Sequence, residues 1–404
     1  MCFVCEKILY TRNKIRESIT PILKIENCFG IIRFQVHKNG QLTKISRKRK
    51  FLGLCLILVF VVPYVVVLSR EVLEPSITKT GKLVEVVYQI PLMVIVLQYV
   101  LFGIMSFKDS QVSTNIIIIS TLAKIDEKLK INKSTLTRKR AIFYLIVCTV
   151  CPFILCVINA YLINELDLTM IAAFSIYYER ALETFVFCLL IGMLNVRLQV
   201  INNYLSIFVN KKHDCKRWSV NIKKKARLED NLDFNFIGSV SSHNFKIREL
   251  AHAYQMIGKT CKAVNYIFNL QILMTLVSTF TVIVVTIWTS IYYFNTEEDT
   301  WQTLMQIIAW CAVEIFMIAF LCCFCQYLLA KRNITMIFVN EIIMNYDLPS
   351  TMRIQAKTFM ELIHVWSLRI SVYDMLTVDI KLMLKFISVA TTYLIVIIQI
   401  THFI

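Results

Sequence analysis

The sequence predicts an all-α integral membrane protein with seven transmembrane helices. Its 404 residues are 57% hydrophobic and 18% charged, whereas soluble domains carry about 25% charged residues. Seven stretches stay largely apolar over about 20 residues, which is the length that a helix needs to cross the hydrocarbon core of a bilayer. The basic residues are also concentrated in alternate connecting segments, as they are in multi-pass membrane proteins.

The apolar stretches place the spans and divide the chain. Residues 1–50 are predicted to form a cytosolic N-terminal segment, and residues 51–404 a single seven-helix domain. The first thirty residues contain no apolar core followed by small residues, so the first span is expected to act as its own insertion signal. The seven spans are predicted at about residues 51–69, 86–107, 141–164, 168–195, 270–294, 301–329 and 383–404.

Lysine and arginine determine the predicted orientation. Four connecting segments carry 38 of the 44 basic residues, and these segments alternate with loops that carry few or none. Because basic residues are retained on the cytosolic side, we expect the N-terminus inside and the C-terminus outside. The net charge of +17 is then a consequence of topology, and we expect no nucleic-acid partner. The four basic segments are 1–50, 108–140, 197–262 and 331–379.

Several other classes of protein are disfavoured. A G-protein-coupled receptor has its N-terminus outside and usually has an outer disulfide, yet no Cys falls in a predicted outer loop. A secondary transporter often shows internal repeats, and we find none. The six His are scattered, without a phosphate-binding loop or an HExxH motif, so we expect neither an enzyme nor a cofactor. Cys2-x-x-Cys5 and Cys148-x-x-Cys151 have metal-ligand spacing. The first lacks a second ligand pair nearby and the second lies in a predicted span, so we expect no metal.

The cytosolic segments show helical patterns that extend the spans. We predict an amphipathic helix over 111–140 that continues a span into the cytosol, and a loop between Lys211 and Phe245. These extensions can form a platform for subunit contacts or lie on the lipid surface, and both interpretations stay open. Further helices are predicted at Tyr204–Val209, Ile247–Val264, Ile334–Met344 and Met352–Ser371, the last two being separated at Leu348-Pro349.

The last span carries a short motif near the chain end. Thr392-Tyr393 is followed by the five hydrophobic residues Leu394–Ile398 and then by Gln399-Ile400. This pattern resembles the signature of the insect gustatory receptor family, in which Thr-Tyr, five hydrophobic residues and Gln-Phe follow one another. Ile400 replaces the closing Phe. The chain length, the seven spans and the predicted orientation also resemble this family over the whole sequence.

The resemblance implies a ligand-gated, non-selective cation channel in the plasma membrane of sensory neurons. Such a channel is a homo- or heterotetramer with related receptor subunits, and it opens when a small organic tastant binds. In that family the seventh helix of each subunit lines a central pore. The ligand pocket lies within each subunit and opens outward among spans two to six.

The predicted gate follows from this resemblance together with helical spacing. Thr392, Val396 and Ile400 lie four residues apart and therefore share one stripe of the helix. Four copies of Val396 and Ile400 would make a hydrophobic ring, which can gate by dewetting. Gln399 lies off that stripe and can hydrogen-bond a neighbouring subunit. Apart from the resemblance, the same residues are also typical of the core of a monomeric bundle.

Four charged residues occur inside predicted spans, where charge is costly and is normally paired or faces water. They are Glu179, Arg180, Glu183 and Glu314. Counting about 1.5 Å per residue from the outer ends places Arg180 and Glu314 at comparable depth. We therefore expect these two side chains to pair, either as a structural ion pair or in contact with ligand.

Aromatic and polar residues in the outer halves of the spans suit a pocket for a small organic ligand. Some of these residues are instead expected in the aromatic belt at the membrane interface. The sugar-receptor branch carries an acidic residue after Thr-Tyr, where this chain has Leu394. We therefore expect a bitter or other non-sugar tastant, with a fructose-type or odorant-type receptor as the alternative. The pocket candidates are Tyr88, Gln89, Tyr161, Tyr178, Arg180, Trp288, Gln306, Trp310 and Glu314.

Overall fold

The computed structural model describes residues 20–36, 42–73, 79–129, 131, 168–209, 243–294 and 300–403. The third predicted span, at 141–164, lies outside these residues, as do Cys2-x-x-Cys5 and Cys148-x-x-Cys151. Most of the loop predicted between Lys211 and Phe245 also lies outside them. Its last three residues belong to a helix that begins at His243.

Helices dominate the described residues. Two antiparallel two-residue hairpins accompany them: β1 (Gln35–Val36) with β2 (Leu42–Thr43), and β3 (Ser371–Val372) with β4 (Leu376–Thr377). The helices, in chain order, are α1 (residues 20–28), α2 (Arg47–Leu73), α3 (Lys79–Ser106), α4 (Asp109–Lys128), α5 (Leu168–Val209), α6 (His243–Phe294), α7 (Thr300–Met344), α8 (Ser350–Val365) and α9 (Ile380–Phe403).

The predicted spans fall within these helices wherever the structure describes them. Inside a bilayer every backbone polar group needs an internal partner, so an apolar run of this length forms a helix. α9 coincides with the seventh predicted span up to residue 403. In the part of the chain that the structure describes, five helical segments are long and apolar enough to cross a membrane: Arg47–Val66, Gln89–Ser106, Phe174–Val209, Lys246–Trp288 and Trp310–Met344.

The three longest helices reach well beyond the thickness of a bilayer. α5, α6 and α7 contain 42, 52 and 45 residues. At 1.5 Å per residue these helices are about 63, 78 and 68 Å long, against a hydrocarbon thickness of about 30 Å. The helical extensions predicted at Tyr204–Val209 and Ile247–Val264 are therefore confirmed as continuous parts of α5 and α6.

α5 is the central helix of the bundle, whereas α2 is peripheral. The apolar window of α5 is 83% buried within the chain, but that of α2 is only 17% buried. α5 packs against α2, α3, α6 and α7. A charged side chain on α5 is therefore surrounded by protein, and it needs its partners from neighbouring helices.

The connection after α3 contains a separate helix. The helix expected over 111–140 is present as α4, which runs from Asp109 to Lys128, but it is separate from α3, which ends at Ser106. Lys108 has an extended backbone (φ −66°, ψ 131°), which breaks the helix. α4 is held against α5, where Arg197 donates to Asp126 Oδ2 at 2.6 Å. Burial raises the pKa of Asp126, and the nearby Arg197 partly opposes this.

The helix predicted over Met352–Ser371 is shorter in the structure. α8 ends at Val365, and the chain then turns into the β3–β4 hairpin. The hydroxyl of Tyr254 donates to the Trp366 carbonyl at 2.8 Å, and so occupies an oxygen at the helix end. Leu368 adopts a left-handed conformation (φ 50°), which a continuing helix cannot contain.

Residues 20–36 of the N-terminal segment pack inside the bundle. Ile22 and Ile31 are fully buried, and the hydroxyl of Tyr99 donates to the Phe29 carbonyl at 2.6 Å. Gly30 has a φ of +81°, and a Cβ there would lie 2.5 Å from the Gly53 carbonyl oxygen. Glycine is required at position 30 both for its backbone conformation and for this close approach. The segment is thereby held against α2 and α3.

Candidate functional site

A buried ion pair joins α5 to α7. Arg180 meets Glu314 through two hydrogen bonds, Nη1 to Oε1 at 3.1 Å and Nη2 to Oε2 at 2.5 Å. The two side chains are 4% and 3% exposed. The hydroxyl of Thr279 on α6 accepts from Arg180 at 2.6 Å and donates to Glu314 at 2.7 Å. The pairing predicted from depth is confirmed, and Thr279 makes it a junction of three helices.

Aromatic side chains lie beside this junction. The ring of Trp310 lies 5.0 Å from that of Tyr177 and 6.2 Å from that of Phe174. Phe174, Tyr177 and Arg180 are spaced three residues apart on α5, and Trp310 and Glu314 four apart on α7. At these spacings each set occupies one helix face. Two facing stripes therefore run from an aromatic end to a charged end, an arrangement suited to binding an organic molecule with a polar group.

A second buried network involves the N-terminal segment. Arg33 donates to Glu26 at 2.9 and 3.1 Å and to Glu183 of α5 at 2.6 Å. Its guanidinium also lies 5.1 Å from the centre of the Phe268 ring. Glu179 is 2% exposed, and no described residue bonds its Oε1. This core therefore contains more carboxylates than cations.

Sequence reasoning missed Arg33 and Glu26, because both lie in the segment that was predicted to be cytosolic. One signal was available in the sequence. The fourth span carries two glutamates beside a single arginine, and Arg180 was already assigned to Glu314. Glu183 therefore needed a cation from elsewhere. Arg33 lies among apolar residues in Ile31-Ile32-Arg33-Phe34, which is typical of a buried rather than a solvated arginine.

The remaining pocket candidates are distributed over several helices. Tyr178 packs against Phe29 of the N-terminal segment, with ring centres 5.6 Å apart, while its neighbour Tyr177 contacts Trp310. Gln89 and Trp288 are partly buried on α3 and α6. Tyr161 lies outside the described residues, and so do the side chains of Tyr88 and Gln306.

The side chains predicted at the gate lie on α9. Asp379 caps this helix by accepting from the Leu382 backbone N–H at 2.9 Å. Thr392, Val396 and Gln399 are exposed on the single chain, with Val396 44% exposed. The structure describes the backbone but not the side chain of Ile400. An apolar helix with this exposure is covered by lipid or by other protein.

One helix touches both the ion pair and α9. Thr279 of α6 bonds Arg180 and Glu314, and the next residue, Phe280, contacts α9. The Phe280 ring lies 6.1 Å from Phe386 and 5.5 Å from Tyr393, both edge to face. Adjacent residues on α6 therefore contact the two candidate sites.

α6 also holds the hairpin that precedes α9. The side-chain oxygen of Asn265 accepts from the Ser371 backbone N–H at 3.3 Å. Asn269, one turn further along, accepts from the Tyr373 N–H at 2.7 Å. In the part of the chain that the structure describes, no group of three or more His, Cys, Asp or Glu side chains could hold a metal ion.

Comparison with known proteins identifies the fold and the family of this chain. The fold is similar to that of the insect olfactory receptor OR5 from Machilis hrabei, with a TM-score of 0.67 at 12% sequence identity, over 95% of this chain and 98% of that one. The structure of that receptor in complex with eugenol gives a TM-score of 0.62 at 12% identity, over 96% and 98%. No curated protein matches significantly. The profile of the 7tm chemosensory receptor family matches residues 19–401, and the chain therefore belongs to that family.

Proposed function

We propose that this chain is a subunit of a ligand-gated, non-selective cation channel of the gustatory type, opened by a small organic, non-sugar tastant. Homo- or heterotetrameric assembly with related subunits, in the plasma membrane of sensory neurons, is part of the proposal. Family membership supports it. The observation that carries it is the exposure of Thr392 and Val396 on α9, because this part of the helix needs a covering in the membrane.

The gate in this proposal is a ring of apolar side chains. Val396 and Ile400 lie one turn apart on α9, and Val396 is exposed on the single chain. The hydroxyl of Thr392 donates to the Ser388 carbonyl at 2.9 Å, and so it is engaged within its own helix. Four such stripes around an axis form a narrow apolar constriction, which excludes water when closed.

The ligand site in this proposal lies between α5 and α7. Trp310, Tyr177 and Phe174 supply ring faces, while the nearby Arg180–Glu314 pair supplies polar groups. A small apolar molecule with one or two hydrogen-bonding groups fits this chemistry. Because both charges of the pair are already neutralised by each other, an uncharged ligand is favoured over an ionic one.

Binding reaches the gate through α6. A ligand beside the ion pair changes the contacts of Thr279, and Phe280 transmits a displacement of α6 to Phe386 and Tyr393 of α9. The hydrogen bonds from the β3–β4 hairpin to Asn265 and Asn269 also attach α6 to the segment that leads into α9. A shift of packed rings changes the packing of α9 in discrete steps, because protein interiors are close-packed.

An odorant-type receptor is the second candidate. Its support is the similarity of fold to an insect olfactory receptor whose structure was solved with eugenol. Both receptor types are ligand-gated channels in this proposal. A transporter or a G-protein-coupled receptor would not conduct such a current. A panel of volatile and non-volatile organic ligands, tested on cells expressing the full chain, separates the two types of receptor.

The gate is tested by basal current in cells that express each variant at matched surface level. Val396→Ser and Ile400→Ser should each raise ligand-independent cation current several-fold, because a hydroxyl hydrates the apolar ring. Ile397→Ser is the matched control, since Ile397 is rotated about 100° from Val396. A leak from the control but from neither stripe variant would mean that another face of α9 lines the pore. No leak from any variant would contradict the channel proposal.

A further inference from the structure

Six basic residues gather at the inner end of α2, and we name them the inner basic cluster. Two contacts place the start of α2 beside the α3–α4 connection. Lys50 donates to Asp109 Oδ1 at 3.0 Å, and a Cβ on Gly53 would lie 2.6 Å from the Phe107 ring. Lys108 therefore joins the cations of the first turn of α2. The cluster consists of Lys44, Arg47, Lys48, Arg49, Lys50 and Lys108.

The charges of this cluster are poorly neutralised by the protein. Among the described residues, Lys50 is the one member with an ion-pair partner, Asp109. The hydrogen bond from Lys50 holds the pKa of Asp109 below its ordinary value, so this acid is charged at neutral pH. The cluster thus has six cations and one ion-paired carboxylate, and five of the six cations, all but Lys50, are exposed.

The position of the cluster makes this excess positive charge more unusual. Helix N-termini carry a partial positive charge and favour acidic residues. The first turn of α2 has no acidic residue and four consecutive basic ones, Arg47 to Lys50. The dipole and the side chains therefore reinforce one another, and the free N–H groups of the first turn point toward the same region. Such a site attracts an anion.

An exposed apolar face begins directly after the cluster. Phe51 is 70% exposed, Leu52 57% and Leu58 57%, and the apolar window of α2 is only 17% buried. A soluble anion would bind the basic side chains but would leave the apolar face of α2 uncovered. A molecule with an anionic headgroup and hydrocarbon chains matches both parts of α2, and the predicted orientation places the cluster at the cytosolic leaflet.

We propose that the inner basic cluster is a binding site for an anionic phospholipid of the cytosolic leaflet, whose acyl chains lie along the exposed face of α2. The multiple cations favour a headgroup with several phosphates, such as a phosphoinositide, over a headgroup with one net charge. Headgroup and chains together fix the lipid beside the α3–α4 connection. This site is separate from the ligand pocket and the gate.

The test uses the full chain purified in detergent, with dioctanoyl phosphatidylinositol 4,5-bisphosphate as the probe and thermal unfolding as the readout. The lipid should raise the unfolding midpoint of the wild type. The triple variant R47Q/K48Q/R49Q should bind on the order of 100-fold more weakly, because each basic residue contributes about 1 kcal/mol near an anionic surface. The variant keeps nine of the twelve basic residues of segment 1–50, which preserves the bias for orientation.

The matched control removes three exposed basic residues of α6, in R248Q/K259Q/K262Q. This variant should bind the lipid as the wild type does. If lipid binding weakens equally in both triple variants, or weakens in neither of them, the proposed site is wrong. Inositol trisphosphate, which has the headgroup without chains, should bind much more weakly than the lipid. Equal binding of the two would assign the site to a soluble phosphate and overturn the lipid proposal.

Discussion

The ion pair of Arg180 and Glu314 gives the sharpest test of the membrane core. We consider Arg180→Met, Glu314→Gln and the double variant. Each single change leaves the other charge buried at 4% exposure or less, and such a loss typically costs about 3–5 kcal/mol. With an unfolding entropy of about 2.1 cal/mol/K per residue, a chain of 404 residues shifts its midpoint by about 1 °C per kcal/mol. Each single variant should therefore unfold about 4–6 °C lower.

The double variant should unfold much closer to the wild type than the sum of the single shifts. It leaves no buried charge, and replacement of a buried ion pair by uncharged side chains is often neutral or stabilising. Thr279 keeps a partner because the amide of Gln accepts a hydrogen bond as the carboxylate did. A midpoint within about 3 °C of the wild type would indicate strong coupling.

The assay is thermal unfolding of the detergent-purified chain, followed without added anionic phospholipid. Lys50→Gln is the matched control, because it removes an exposed ion pair with Asp109 in the same protein. Exposed pairs contribute little to stability, and this variant should show no resolvable shift. Strict additivity of the two single shifts would refute the reasoning, since it would mean that the two charges do not interact.

Four further outcomes are expected. Arg33→Gln should lower the midpoint at least as much as Arg180→Met, because it leaves Glu26 and Glu183 buried without their cation, and adding Glu183→Gln should restore part of the loss. Gly30→Ala should destabilise the chain by about 2 kcal/mol or more, whereas Gly192→Ala, whose Cβ meets only Phe324 at 3.5 Å, should be neutral or stabilising. Phe280→Ala should leave ligand binding intact but reduce the maximal evoked current. An epitope tag at the C-terminus should be labelled on intact cells, and one at the N-terminus only after permeabilisation; the reverse would refute the predicted orientation.

The buried charges show which parts of the site were predictable. The partnership of Arg180 and Glu314 followed from depth alone, because both residues lie within predicted spans whose ends could be counted. The partner of Glu183 did not follow, since Arg33 lies 150 positions away in a segment with no apolar span. Basic residues near a first span are typically assigned to the cytosolic side. Applied to Arg33, this rule predicted a solvated side chain, whereas the side chain is buried.

The aromatic lining depended on helix rotation. Tyr177 and Tyr178 are neighbours with the same composition around them, yet Tyr177 contacts Trp310 while Tyr178 contacts Phe29. A difference of about 100° in direction separates adjacent positions of a helix. No pattern in the sequence resolves such a choice when both sides of the helix face protein, as they do for the central α5.

The sequence by itself determined the class of protein, the positions of the described spans and the motif on α9. Span length and basic-residue distribution suffice for this, because a bilayer imposes the same hydrocarbon thickness and the same backbone requirement on every chain. The tertiary structure decided which charges meet, where α8 ends, and that Thr279 and Phe280 of α6 touch both the ion pair and α9. These contacts arise from the rotation and packing of helices that are distant in sequence, which local pattern does not encode.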